Sequence, residues 1–434
     1  MGYDRISLLP DSLITQILLH LPTKDSVKTS LLSTRWRNLW LDVPGLDLHS
    51  NDFRYSSSAI KTFTDEFLES NRESRLLKFK IKYDECNVYL FGISEWFATA
   101  INRGAQVLDV DTLRCPFYKD FMPLDIYKSK TLVSLKLVNV GLLKPGFVVS
   151  LPCLKTMHLE NILYSDDDGS LIMEKLVSGC PVLEDLTLCR SFDDKLDVVL
   201  RVISRNLKRF CVKSGPGIEN DAPRPKCIEF RDDDRVVGKN LSFLLMVDID
   251  IRFNVDALEM KYLHEVLNGV SSVRHLIISQ RTLKELYRCL NMEPISKFHN
   301  LSRLEVSFSS LLLQVLPNFL EICPNLKYLT LYLVFSTKIE RANLELTNVP
   351  RCLLSTLECV EIKEVIAGEE TWFSKTTAMK LAKQKKKIWM EVVRYFIDDS
   401  LVLKNLILCL TDSDITKKLL TFTKRFRRCQ TIFR

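Results

Sequence analysis

The residues with the widest chemical range in this 434-residue chain are thirteen cysteines and six histidines. A thiolate or an imidazole can ligate zinc, attack a carbonyl or move a proton, but each task needs partners at set spacings. No two cysteines form a C-x-x-C pair, and none of His20, His49, His158, His264, His275 and His299 stands at metal-ligand spacing from a cysteine. The chain has no P-loop, no G-x-G-x-x-G, no G-x-S-x-G and no H-E-x-x-H. These absences read as a protein with no catalytic residues, no metal ligands and no cofactor. Scattered cysteines in a chain of this length, with nothing at its start that reads as a signal peptide, imply reduced thiols and a cytoplasmic or nuclear location.

With catalysis set aside, the informative residues are those that build surfaces. Hydrophobic residues make up 46% of the chain and charged residues 26%, the balance of a soluble globular protein with a full core. No apolar run reaches the length of a membrane span, so no membrane partner is expected. The net charge of +7 is gathered after residue 370, on an otherwise near-neutral body. That distribution argues against a nucleic-acid surface running the length of the protein. The run Lys383, Lys385, Lys386 and Lys387 reads first as a solvated loop, then as a nuclear import signal, and last as a contact for nucleic acid or another anionic surface.

The elements begin with the stretch Asp4–Pro44. Pro10 and Asp11 open a helix, and Leu13, Ile14, Ile17, Leu18 and Leu21 recur on it at three- and four-residue spacing. Pro22 disfavours helical geometry at Leu21 and should end it there. Thr23 and Ser33 suit the N-caps of a second helix near Lys24–Leu31 and a third near Thr34–Leu41, which carries Trp36 and Trp40 one turn apart. Forty residues cannot bury that much apolar surface alone, so the stripe packs on the rest of the chain or docks a partner.

Asp4-Arg5-Ile6 through Leu9-Pro10-Asp11, then Leu21-Pro22-Thr23-Lys24-Asp25, then Leu32-Ser33-Thr34-Arg35-Trp36-Arg37-Asn38-Leu39-Trp40, resemble a plant F-box. The resemblance implies docking onto a Skp-type adaptor and, through it, a cullin scaffold. The adaptor-facing residues it points to are Leu9, Pro10, Leu13, Ile17, Leu18, Leu21 and Pro22, with Val27, Leu31 and Leu32. Trp36 and Trp40 are assigned instead to the small F-box core or to a weld onto the first repeat.

Behind this stretch an L-x-x-L-x-L pattern returns, at Leu76-Phe79-Ile81, Ala105-Leu108-Val110, Leu132-Leu135-Leu137, Leu154-Met157-Leu159, Leu183-Leu186-Leu188 and Leu207-Phe210-Val212. It resumes at Val273, Leu301, Leu326, Leu357 and Leu403. Alternate residues of a short strand bury one face, and a helix or loop returns the chain to the next strand, which is the logic of leucine-rich repeats. Cys180 and Cys323 should fill loop interiors. Residues between the buried leucines face a concave recognition surface, and tyrosine and arginine dominate interface hot spots, so Arg209, Arg303, Tyr328 and Tyr332 are the target-binding candidates. The stretch 215–255 breaks the rhythm and reads as two irregular repeats, with a strand of unfixed register within Leu241–Ile251.

Leu132–Cys189 resembles the repeat region of plant F-box proteins, and Leu353–Phe433 resembles their FBD domain through Leu357–Ile362, Met390–Phe396, Leu401–Leu406 and Arg427-Arg428-Cys429. A lysine-rich insertion near 369–388 departs from that family pattern and reads either as an extra surface loop or as translated sequence from an unusual gene model. The resulting expectation is an α/β chain: a three-helix F-box over residues 1–45, an irregular leucine-rich-repeat solenoid over 46–350 and an FBD segment over 351–434. The function implied by the resemblance is a non-catalytic substrate-recognition adaptor of an SCF-type ubiquitin ligase, with an unnamed target protein. The alternative is a leucine-rich-repeat interaction scaffold outside any ligase.

Overall fold

The computed structural model describes residues 6, 8–53, 57–70, 74–83, 93–112, 121–165, 169–190, 199–203, 206–214, 227–232, 235–236, 245–250, 267–268, 270–290, 295–335, 344, 346–366, 375–424 and 429–434. The chain divides into two compact units, one of residues 1–207 with 215–225 and one of 208–214 with 226–434.

The first unit begins with α1 (Asp11–Leu18) and α2 (Thr23–Lys28). Pro10 sits just ahead of the first helical residue, and its carbonyl accepts from the Leu13 and Ile14 amides. The α-helical pattern stops at Leu18, because the His20 and Leu21 amides bond three residues back and tighten the last turn before Pro22. The expected third helix does not form as an α-helix. Trp36, Arg37, Leu39 and Leu41 all donate to carbonyls three residues back, giving turns that end in a short 3₁₀ segment, Leu39–Asp42. Neither proposed N-cap operates: Pro22 occupies the cap of α2, while the Thr23 hydroxyl accepts from the Asp47 amide at 2.8 Å.

The strands that follow are β1 (Gly45–His49), β2 (Lys78–Tyr83), β3 (Val107–Thr112), β4 (Ser134–Val138), β5 (Gly141–Leu142), β6 (Thr156–Glu160), β7 (Leu163–Tyr164), β8 (Asp185–Arg190) and β9 (Val199–Ile203). In the main ladder β1, β2, β3, β4, β6 and β8 pair in parallel, each with the next. Each repeat leucine pairs in register with its counterpart: Leu46, Phe79, Leu108, Leu135, Met157 and Leu186 form one buried row. Helices α3 (Ser57–Ser70), α4 (Ile93–Asn102) and α5 (Gly169–Ser178) lie in the connections.

The second unit repeats the scheme with β10 (Arg209–Ser214), β13 (Met246–Asp250), β14 (His275–Ile278), β15 (Arg303–Ser309), β16 (Tyr328–Phe335), β17 (Cys359–Ile366), β18 (Asn405–Cys409) and β19 (Gln430–Phe433), parallel and each paired with the next. A short antiparallel pair, β11 (Cys227–Asp232) with β12 (Arg235–Val236), lies between β10 and β13 in sequence. The strand of unfixed register is β13, which places Val247 and Ile249 in the core. The loop 215–226 lies outside the described residues.

Among the described residues this unit also holds α6 (Gln280–Leu290), α7 (Leu316–Glu321), α8 (Arg351–Ser355) and α9 (Lys375–Asp399), with α10 (Ser413–Thr423) before the last strand. Residues 375–388 of the insertion are therefore helical rather than a surface loop. Ile388, Trp389, Val392, Val393 and Phe396 of α9 are buried. Their spacing keeps one face on the core while Lys380, Lys383 and Lys387 stay exposed. Lys385 and Lys386 are half-buried, and the Lys385 ammonium lies 2.5 Å from Glu364 of β17.

Candidate functional site

The F-box folds around a small core of its own, made by Ile14, Leu18, Trp36, Leu39 and Val43, with Leu9 and Leu19 packed against it. Arg35 closes it from outside. Its guanidinium donates to Asp11 through Nε (3.0 Å) and Nη2 (2.6 Å) and also reaches the Leu9 carbonyl, pinning the turns to the start of α1. The Ser26 hydroxyl donates to the Leu18 carbonyl at 3.1 Å and ties α2 to α1. Trp40 leaves this core and stacks on Phe63 of α3, with ring centroids 6.0 Å apart. The two tryptophans thus divide the roles expected of them: Trp36 fills the core and Trp40 joins the F-box to the first repeat connection. Gly45 permits the close seating of the F-box on β1, since a Cβ there would strike the Leu19 side chain and come within 3.1 Å of Lys78 Cβ.

On α1 and the turn that follows it, two apolar stripes separate. Ile14 and Leu18, four apart, face the core, whereas Leu13, Ile17 and Leu21, also at four-residue spacing, face outward. Leu18 is 1% exposed and is a core residue, so its side chain is not on the outward face. Leu9 is half-buried against the same core, Val27 is half-buried, and Pro10 and Pro22 are exposed. Leu31 is 86% exposed and Leu32 68%, on the turn after α2. Ile6 and Leu8 join the outward apolar residues, and Leu8 at 75% is more exposed than any on α1. Sequence reasoning passed over both because they precede the helix whose periodicity marked the others.

The four target-binding candidates all lie in the second unit. Arg209, Met246, His275, Arg303 and Tyr328 form one row across five adjacent strands, on the face opposite the leucines. Glu305 organises its centre: its carboxylate accepts from Arg303 Nε at 3.2 Å and from the Tyr332 hydroxyl at 3.2 Å, and bonds His275 Nε2 at 3.0 Å. Burial holds the His275 imidazole below its ordinary range, although Glu305 pulls the other way. The His275–Glu305 contact at neutral pH is therefore a hydrogen bond between a neutral ring and a carboxylate. Burial, with Glu305 next, raises the Tyr332 phenol. Arg303 and Tyr332 are thus held in place, while Tyr328 stands 48% exposed.

The two cysteines expected in loop interiors are buried. Cys180 and Cys323 donate to the carbonyls of Leu176 and Phe319 in buried turns, as their expected filling role requires. Burial pushes the Cys180 thiol up to about 12 and the Cys323 thiol well above its ordinary value. Among the described residues no helix is long and apolar enough to cross a membrane.

The F-box domain model matches residues 6–47, and the model described as the LRR repeats of the FBD-associated F-box protein At5g56370 matches residues 93–222. Across its full length the chain is 47% identical to the putative F-box/FBD/LRR-repeat protein At5g44950 of Arabidopsis thaliana, covering 100% of both chains. The chain belongs to the F-box/FBD/LRR-repeat family. A second Arabidopsis thaliana member, F-box/FBD/LRR-repeat protein At2g26030, is 48% identical over 100% of this chain and 99% of its own. The FBD-associated F-box protein At5g27750 of the same plant is 43% identical over 99% of each. Proteins that combine an F-box with leucine-rich repeats are generally substrate adaptors of SCF-type ubiquitin ligases.

Proposed function

We propose that this F-box/FBD/LRR-repeat protein is the substrate-recognition subunit of an SCF-type ubiquitin ligase, docking a Skp-type adaptor, and through it cullin, by its F-box and a target protein by its strand faces. The observation that carries the reading is the outward leucine face of a fold that already has its own core. Leu8, Leu13, Ile17, Leu21, Leu31 and Leu32 are all exposed, from 37% at Leu21 to 86% at Leu31. A cluster of large apolar side chains left in water marks an interaction surface. Burying each yields roughly 1.5–3 kcal/mol gross, enough to drive association after its entropic cost.

The protein performs no chemistry in this role. It raises the effective concentration of a bound target near the charged conjugating enzyme on the same scaffold. Arg209, Arg303, Tyr328 and Tyr332 are the target contacts, with Glu305 preorganising two of them, and each unit's ladder serves as a run of irregular leucine-rich repeats. Co-expression of the full chain with a Skp-type adaptor tests the reading. A one-to-one complex that survives size-exclusion chromatography is expected. A chain that elutes alone, folded and without adaptor, leaves the interaction-scaffold alternative in its place.

A further inference from the structure

On the first unit's strand face, a regular lattice of opposite charges changes character at β6. Lys78 pairs with Asp47 (2.6 Å), Lys80 with Asp109 (3.4 Å), Lys136 with Asp109 (3.4 Å) and Lys82 with Asp111 (3.8 Å). Beyond them stand His158 and Glu160, two residues apart on β6 and so on one side of the sheet, and Cys189 on β8, directly opposite Glu160. His158 Nε2 lies 3.1 Å from Glu160 Oε2, and one ligand atom from each of His158, Glu160 and Cys189 lies within 4.8 Å of the other two. Bonds of roughly 2.0–2.3 Å from one cation to nitrogen, oxygen and sulfur place those donors about 3–4 Å apart, so a small side-chain rotation closes the set.

The backbone beneath the donors is held. The Asn139 amide donates to the Glu160 carbonyl at 2.9 Å, and the Asn161 amide to the Cys189 carbonyl at 2.8 Å. Both asparagines have positive φ, 60° and 50°, and the Asn161 side-chain amide donates to the Asn139 side-chain oxygen. Three half-buried donors on a fixed backbone form a site that needs only side-chain rotation to close on a ligand.

We propose that His158, Glu160 and Cys189 bind one zinc-class divalent cation through Nε2, a carboxylate oxygen and Sγ. The Cys189 thiol loses its proton to solvent as the sulfur–metal bond forms, and the fourth coordination position, on the open side, takes water or a donor from a docked protein. Imidazole, carboxylate and thiolate are the zinc ligand set, and three protein ligands with one open position make an accessible site. The site does not depend on adaptor docking. It was hidden from spacing rules because its two halves lie one whole repeat apart.

The test is a cobalt titration of the chelator-stripped full chain, followed by displacement with zinc. One equivalent of cobalt should produce thiolate-to-metal charge-transfer absorption that zinc abolishes. Cys189→Ser should remove the band, and His158→Gln and Glu160→Gln should each weaken binding roughly tenfold or more with the circular dichroism melt unchanged. Cys153→Ser, at an exposed cysteine in a turn, should leave the titration as it is. Absence of the band, its survival in Cys189→Ser, or an affinity in both Gln variants equal to that of the unaltered chain overturns the proposal.

Discussion

Leu13 and Leu18 are the same residue type on the same helix, yet they have opposite duties. Leu18 is closed in the F-box core, so Leu18→Ala should lower stability by roughly 2–4 kcal/mol, read as a shifted urea midpoint of the F-box transition. Leu13→Ala should leave that midpoint nearly unmoved, and equal shifts would contradict the assignment of the two stripes. Sequence periodicity placed both on one stripe because a three- and four-residue spacing spans more than one face when the helix is short. His275 gives a residue-scale test in the second unit, where burial opposes its protonation and Glu305, Asp248 and Arg303 stand around it. Its folded pKa is lowered, so the stability it contributes is present above the ordinary imidazole value and is lost as pH falls through the folded one. An NMR titration should give a midpoint below the ordinary value, and Glu305→Gln should lower it further. A midpoint above the ordinary value would contradict this picture. The cluster around Glu305 was not legible in sequence, since its members meet only through the parallel register of three strands.

At the scale of elements, the repeat strands were the most legible feature. Every L-x-x-L-x-L segment lies on a strand of the ladder, because a period-two burial pattern anchored by leucines has no other good solution when stacked. β1 and β19 were missed because the first and last strands carry less of the leucine pattern, as Gln430-Thr431-Ile432-Phe433 illustrates. The F-box's final segment misled in the other direction: its tryptophan spacing is helical, but Arg35 anchors it to Asp11 and the Leu9 carbonyl in tight turns. The insertion near 369–388 misled through composition, since a lysine run looks solvated whether or not its neighbours are buried. α9 can be tested directly. Trp389 is fully buried, and Trp389→Ala should cost roughly 3–5 kcal/mol, read by denaturant titration. Lys386→Pro, in mid-helix, should cost about 3 kcal/mol or more and lower the helical circular dichroism signal. A loop would tolerate both.

For the whole molecule, each unit carries its own parallel ladder, with leucines on one side and a polar face on the other. The first unit adds an F-box whose core is complete without its outward leucines. Membership of the F-box/FBD/LRR-repeat family was legible from the motif residues at the N-terminus and the C-terminal segments, because those depend on local residue identity. Which of the leucines face outward was not, because that depends on how Trp36, Leu39 and Val43 fold back onto α1. The most direct measurement is a binding titration of the full chain with a Skp-type adaptor, comparing the unaltered protein with Leu13→Asp/Ile17→Asp. Both positions are exposed, so the double variant should keep its urea midpoint while losing at least about 100-fold in affinity, the equivalent of roughly 2.7 kcal/mol. A variant that binds the adaptor as tightly as the unaltered chain would show that this leucine face is not the docking surface.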